Sequence, residues 1–218
     1  MRPNDIDNDE LKKANRREFI NATKELMEEE SFQYISIRKI AERAGFHNST
    51  LYLYFKDLDQ LLLLASMKYF REYSHSLNIL SREKHAPIKS FISIWDFFLT
   101  SVLKNPMIFY NFFFGKSSDN LYDIMTMYYD IFPEEREQFS QDIEAMYFGR
   151  NITERSLYIL RTILFENTSV TEENLHMLNE LSVSYCKYKL ELKCQNPNLD
   201  SEQIKKEILT AYSYLFGL

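Results

Sequence analysis

The stretch KIAERAGFHNSTLYLYFKDLDQL, Lys39 to Leu61, reads as two short helices around one glycine. Upstream, Ser36 carries the side-chain oxygen that caps a helix IRKIAERA, whose Ile37, Ile40, Ala41 and Ala44 share one side. Ala41 is small enough for close helix packing, and Gly45 supplies the backbone freedom of a tight inter-helix turn. NSTLYLYF then makes a second helix, anchored inward by Leu51 and Phe55. Its outward set is Asn48, Ser49, Thr50, Tyr52, Leu53 and Tyr54.

Working outward, Leu11, Phe19, Ile20, Thr23, Leu26 and Met27 fall on one face of an earlier helix, with Arg16, Arg17, Lys24 and Glu28 on the other. Downstream, DLDQLLLLASMKYFREYSHSLNIL predicts one long helix capped by Asp57, with an apolar stripe from Leu58 to Leu77. Breaks follow at Pro87, Pro106, residues 115–120, Pro133, residues 148–151 and residues 194–201, and Thr171 and Asp200 are expected N-caps. The pattern predicts an all-α chain of roughly nine helices.

Composition narrows the function classes. With 218 residues, 45% hydrophobic and 15% aromatic, a sizeable core is available. A net charge of -6 argues against indiscriminate coating of nucleic acid, which needs an excess of basic side chains. Only 4 glycines and 5 prolines disfavour hairpin-rich sandwiches and glycine-loop nucleotide folds. The polar opening MRPNDIDNDELKK predicts no signal peptide, and no apolar run is long enough to span a bilayer. Cys186 and Cys194, eight apart on one expected helix, would be about 12 Å apart, too far for a disulfide. The 4 histidines are scattered, and neither metal spacing, a Gly-x-Ser-x-Gly elbow nor a Walker loop occurs, so no enzyme, cofactor or metal is expected.

Asn, Ser and Thr of the outward set, with His47 just before it, can bond base edges, while Tyr hydroxyls and Lys56 can reach phosphates. An α-hairpin used only as scaffold needs the same alanine and glycine, so both readings stand on these residues alone.

The run from Phe19 to Leu61 resembles the TetR family of bacterial regulators through Phe19-Ile20, Phe32, Ser36, Ile40-Ala41, Ala44-Gly45, Thr50-Leu51-Tyr52 and Phe55. The resemblance implies a three-helix, helix-turn-helix DNA-binding domain over residues 1–64 and a helical ligand-binding and dimerisation domain over residues 65–218. Carried over by position, Tyr52 and Tyr54 contact phosphates and His47, Asn48, Ser49 and Thr50 lie near bases. Arg16, Arg17, Ser36, Arg38 and Lys56 complete the candidate DNA-facing set. Three positions depart from the family pattern: Ser31 replaces a glycine, His47 a capping serine, and Leu58 a phosphate-contacting lysine. With His47 at the cap position, Asn48 is expected to take over capping and shift the register by one residue.

Residues 91–148 are rich in large apolar side chains and read either as a lined cavity or as an ordinary core. Candidate ligand-lining residues are Trp95, Phe98, Tyr110, Phe113, Met125, Tyr128 and Tyr129. Asp96, Asn111, Asp130 and Glu144 are embedded there; carboxylates turned to the cavity would suit a cationic lipophile, carboxylates turned to solvent would not. Two late stripes, Leu178, Leu181, Tyr185 and Tyr188, then Ile204, Ile208, Tyr212 and Leu215, fit a four-helix dimer interface or burial within one chain. The resemblance makes the expected protein a cytoplasmic homodimeric repressor of a two-fold DNA operator, responsive to a small lipophilic or aromatic effector. The competing reading is a helical binding module that has lost DNA contact.

Overall fold

The computed structural model describes residues 3–30 and 32–218, with side chains from Asn8 onward except at position 33. Ser31 lies outside the described residues. Eleven α-helices and no strand occur among the described residues. The first six are α1 (Pro3–Glu29), α2 (Ile37–Ala44), α3 (Leu58–Ser66), α4 (Arg71–Ser81), α5 (Pro87–Lys104) and α6 (Pro106–Phe114). They are followed by α7 (Leu121–Ile131), α8 (Gln141–Tyr147), α9 (Ile152–Arg161), α10 (Leu175–Gln195) and α11 (Ser201–Phe216). The chain divides into two compact units, residues 1–68 with 123–136, and residues 69–122 with 137–218.

In the first unit α1 packs on α2 and α3. Phe19, fully buried, is the hub: Phe46 stacks on it at 4.8 Å, Phe55 meets it edge-on at 5.9 Å, and Tyr54 tilts against it at 6.0 Å. Such ring pairs each add about 0.5–1.5 kcal/mol beyond area burial. Leu51 and Phe55 point inward as their spacing predicts, at 0% and 3% exposure.

The long helix expected from Asp57 to Leu80 is interrupted. α3 ends at Ser66, a 3-10 turn runs over Met67–Phe70, and α4 begins at Arg71. The Ser66 hydroxyl is buried and donates to the Leu62 carbonyl four residues back at 2.7 Å, a bond that competes with the helix ladder and bends helices. The division between the units falls in this turn, after Lys68.

In the second unit α10 packs against α9, α6 and α11, and α11 against α5. Trp95 and Tyr212 meet edge to face at 4.8 Å, while Phe70, Phe109, Phe112 and Phe113 form a contiguous ring cluster. Asp200 caps α11 by accepting from the Glu202 N–H at 2.9 Å, as expected. Thr171 instead closes a turn, its hydroxyl accepting from the Asn174 N–H at 3.3 Å, and α10 starts at Leu175.

Candidate nucleic-acid interface and core cavity

Ser36 caps α2, its hydroxyl accepting from the Lys39 N–H at 3.4 Å. The helix ends in a paired carbonyl lock: Gly45 N–H donates to Glu42 O at 3.3 Å and Phe46 N–H to Ala41 O at 2.9 Å. Gly45 sits at φ 76° with nothing within 4 Å of where a Cβ would stand, so the glycine is required by the left-handed backbone and not by space.

The second element is a 3-10 helix over Asn48–Leu53. Its cap is His47, not Asn48, and the register does not slip: the Ser49 N–H donates to His47 Nδ1 at 3.3 Å, with Ser49 Oγ 2.8 Å from the same nitrogen. An accepting Nδ1 requires the Nε2–H tautomer, which stands in for the serine oxygen. Asn48, Ser49, Tyr52 and Leu53 are exposed, the last two at 59% and 77%, and Thr50 is half-buried. Tyr54, expected outward, is half-buried instead: its ring lies on Phe19 and its hydroxyl accepts from Asn15 Nδ2 at 2.8 Å.

The basic side chains of this unit divide into two groups. Lys13 pairs with Asp130 at 2.9 Å, and Arg17 donates to Glu134 and to the Ile131 carbonyl, both at 2.7 Å, with its guanidinium 4.5 Å over Phe132. Lys24 donates to the Tyr128 hydroxyl at 2.8 Å, and Tyr128 to Glu135 at 2.6 Å. Lys39 pairs with Glu30 and Arg43 with Glu29, both at 2.6 Å. The Asp130 hydrogen bond and charge raise the Lys13 ammonium, burial pushes the Lys24 ammonium down, and a backbone hydrogen bond with the Arg17 contact lowers the Glu134 carboxyl. By contrast, exposed Arg38 and Lys56 have no ion-pair partner among the described residues. Arg16 is half-buried with Nε unpartnered. Leu58 is the half-buried first residue of α3, where Asp57 accepts from the Gln60 N–H at 2.9 Å.

In the second unit a small cavity opens in the helical core. Ile94, Trp95 and Phe98 of α5 face it together with Tyr73 of α4 and Met146 of α8. The wall from α9 includes Ile152, Arg155 and Ser156. Space open to the centre of a water-sized sphere is about 20 Å³, enough for roughly one water. Arg155, 2% exposed, donates to the Tyr147 carbonyl, and its guanidinium lies 5.2 Å from the Tyr147 ring centroid and 5.4 Å from that of Phe113. The Tyr73 hydroxyl donates to Met146 Sδ at 3.7 Å; burial raises its pKa and Arg155 opposes the rise.

The structure therefore separates the residues expected to line one ligand site. Trp95 and Phe98 face the cavity, and Phe113 packs on Phe98 at 5.1 Å. Tyr110 pairs with Phe114 at 5.7 Å. Met125, Tyr128 and Tyr129 fall in the stretch that clusters with the first unit. Asp96 pairs with Lys205 at 3.5 Å and Asp130 with Lys13, so neither carboxylate faces this cavity. Arg155 escaped the sequence reading, because an arginine in TERSLYIL carries no sign that it will be buried.

The two late stripes also divide. Leu178, Ile204, Ile208 and Tyr212 are buried in the chain's own core. Leu181 and Tyr188 are 50% and 53% exposed, and Tyr185 and Leu215 are half-buried; Met177 and Tyr214, 55% and 85% exposed, join the outward side. Cys186 and Cys194 are free thiols. No helix among the described residues is long and apolar enough to cross a membrane, and none of their side chains group as a metal site.

A glycine-locked helix pair thus lies in one unit, and a small cavity in the all-helical core of the other. Residues 19–65 match bacterial regulatory proteins of the tetR family. The whole chain has the fold of solved TetR-type regulators. RolR in complex with resorcinol is 16% identical, with 96% of this chain and 90% of that one covered at a TM-score of 0.60. A TetR regulator from Rhodococcus sp. RHA1 is 15% identical, with 93% and 95% covered at 0.55. SmeT, the repressor of the Stenotrophomonas maltophilia multidrug efflux pump SmeDEF, is 14% identical, with 92% and 89% covered at 0.51. Comparison with curated protein sequences gives no match. Residues 19–65 are thus TetR-like in sequence, and the chain is TetR-like in its fold.

Proposed function

We propose that this protein is a one-component transcriptional repressor that binds a two-fold symmetric DNA site as a cytoplasmic homodimer and responds to a small aromatic or lipophilic effector. The observation that carries this reading is the exposed surface on the second element of the α-hairpin. Asn48, Ser49 and Tyr52 stand clear of the core, with Arg38 and Lys56 left to meet phosphates. The domain functions follow: the N-terminal region, residues 1–64, reads DNA, and residues 65–218 sense the effector and dimerise. The outward residues Met177, Leu181 and Tyr188 of α10 give the dimer its apolar contact, in place of the buried Leu178, Ile204, Ile208 and Tyr212. Two recognition elements about 34 Å apart would enter successive major grooves. The resorcinol carried by RolR and the repressor role of SmeT support the effector class and the direction of control.

A second reading has its own observation. Lys13, Arg17, Lys39 and Arg43 are all held by carboxylates, and Leu58 contributes no charge, which fits a hairpin kept only as scaffold. Footprinting the purified protein on DNA flanking its gene at two salt concentrations separates them. Protection of a short near-palindrome that weakens with salt supports the repressor; a folded dimer that protects no DNA, and selects none from random sequence, supports the scaffold.

A further inference from the structure

Resting on the sensor reading above, we propose that the cavity beside Trp95 is the effector site and that it takes a one-ring aromatic compound bearing a hydrogen-bond-accepting oxygen, a carboxylate or phenol. Trp95 is 2% exposed, and its Nε1, which can only donate, has no partner among the described residues. A buried donor of that kind calls for an acceptor from outside the chain, either a water or a ligand atom. The remaining polar groups on the wall favour the same chemistry. Arg155 is a cation and a donor, and the Tyr73 and Ser156 hydroxyls can donate, whereas no carboxylate lines the cavity. A cationic lipophile would meet positive charge there; an acceptor oxygen meets hydrogen-bond donors on an otherwise apolar wall of Phe98 and isoleucine side chains.

In its present form the cavity holds roughly one water, so a ring enters only as wall side chains shift. Met146 is the side chain suited to that: it is unbranched and polarisable, and its sulfur accepts from the Tyr73 hydroxyl. One-ring ligands then displace the water-sized space with Met146 withdrawn, while their oxygen replaces a water on the indole N–H.

The test uses the full chain without DNA, so it stands or falls separately from the repressor reading. The chain has 1 tryptophan, so its fluorescence reports on the proposed site directly. Benzoate and phenol are titrated beside toluene and benzylamine. The expected result is a saturable Trp95 signal for benzoate or phenol, at least tenfold weaker for toluene and absent for benzylamine. By calorimetry, Trp95→Phe, which keeps a ring and removes the donor, weakens the bound probe about 2- to 13-fold, the range of one net hydrogen bond. Ser156→Ala, a milder change, is a second variant if Trp95→Phe fails to fold, and it is expected to weaken the same probe. Toluene binding as tightly as phenol, benzylamine binding best, or no binding of benzoate and phenol at millimolar concentration would each overturn the proposal and leave the space to water. DNA binding with no ring binding overturns this inference alone; ring binding without DNA binding overturns the repressor reading alone.

Discussion

One guanidinium nitrogen of Arg17 donates to both carboxylate oxygens of Glu134, at 2.7 and 2.9 Å, across 117 residues of sequence. With Lys13 on Asp130, it ties the basic side of α1 to the stretch 123–136, whose chain continues at both ends into the second unit. Cations that the sequence offers to DNA are thereby engaged by carboxylates of the same unit. Removing the carboxylates in Asp130→Asn with Glu134→Gln releases up to two positive charges. The expected outcome is a plot of log affinity against log salt steeper by about one to two units, measured by fluorescence anisotropy on a DNA duplex. An unchanged slope would mean that this side of α1 does not face phosphates.

Ion-paired glutamates, Glu134 among them, set an acid limit. Hydrogen bonds to Lys68 and Arg43 lower the Glu28 and Glu29 carboxyls, a backbone hydrogen bond and Arg17 lower Glu134, and Lys189 lowers Glu207. Each folded value lies below the unfolded one, so the stabilisation is present above the ordinary carboxylate value of about 4.3 and is lost as pH falls through the lowered values. Thermal melts should therefore show a nearly constant Tm from pH 7 to about 5 and a progressive fall below about 4.5.

Two substitutions in the hairpin act through the backbone. Gly45→Ala places a Cβ at φ 76° and is expected to cost about 1–2 kcal/mol, read from the urea midpoint. His47→Ala removes the cap and is expected to cost about 0.5–2 kcal/mol, whereas His47→Ser restores an accepting oxygen and stays near the parent.

The cysteines are predicted to be inert. Burial pushes the Cys186 thiol up to about 12 and the Cys194 thiol up to about 11, so the thiolate is scarce at pH 8. Iodoacetamide at pH 8 should label neither in the folded chain and both in urea, counted by mass spectrometry.

Much of the architecture was legible because local rules carried it. Ser36, Gly45, Asp57 and Asp200 do what their side chains or backbones allow at helix ends, and Leu51 and Phe55 follow helical spacing. What escaped was tertiary. Phe46 gave no periodic signal as a partner for Phe19, and Ser66 gave none that its hydroxyl would interrupt a long apolar helix. His47 replaced the expected cap because an imidazole nitrogen accepts as a serine oxygen does, a matter of side-chain geometry. The aromatic run was visible, but its local pattern did not show that Met125, Tyr128 and Tyr129 would cluster with the first unit, where Lys24 donates to the Tyr128 hydroxyl. The buried Arg155 was equally invisible, since nothing in its local sequence distinguishes it from a surface arginine.

The measurement closest to the central claim is the salt-dependent affinity of the parent chain and of Tyr52→Ala with Lys56→Ala for the DNA fragment protected in the footprint. Both side chains are exposed, so the pair can be removed without opening the core. The account predicts a folded variant with markedly weaker binding and a salt slope lower by about one unit, because a charged phosphate contact is gone. Unchanged affinity and slope would contradict the claim that this surface of the hairpin meets DNA.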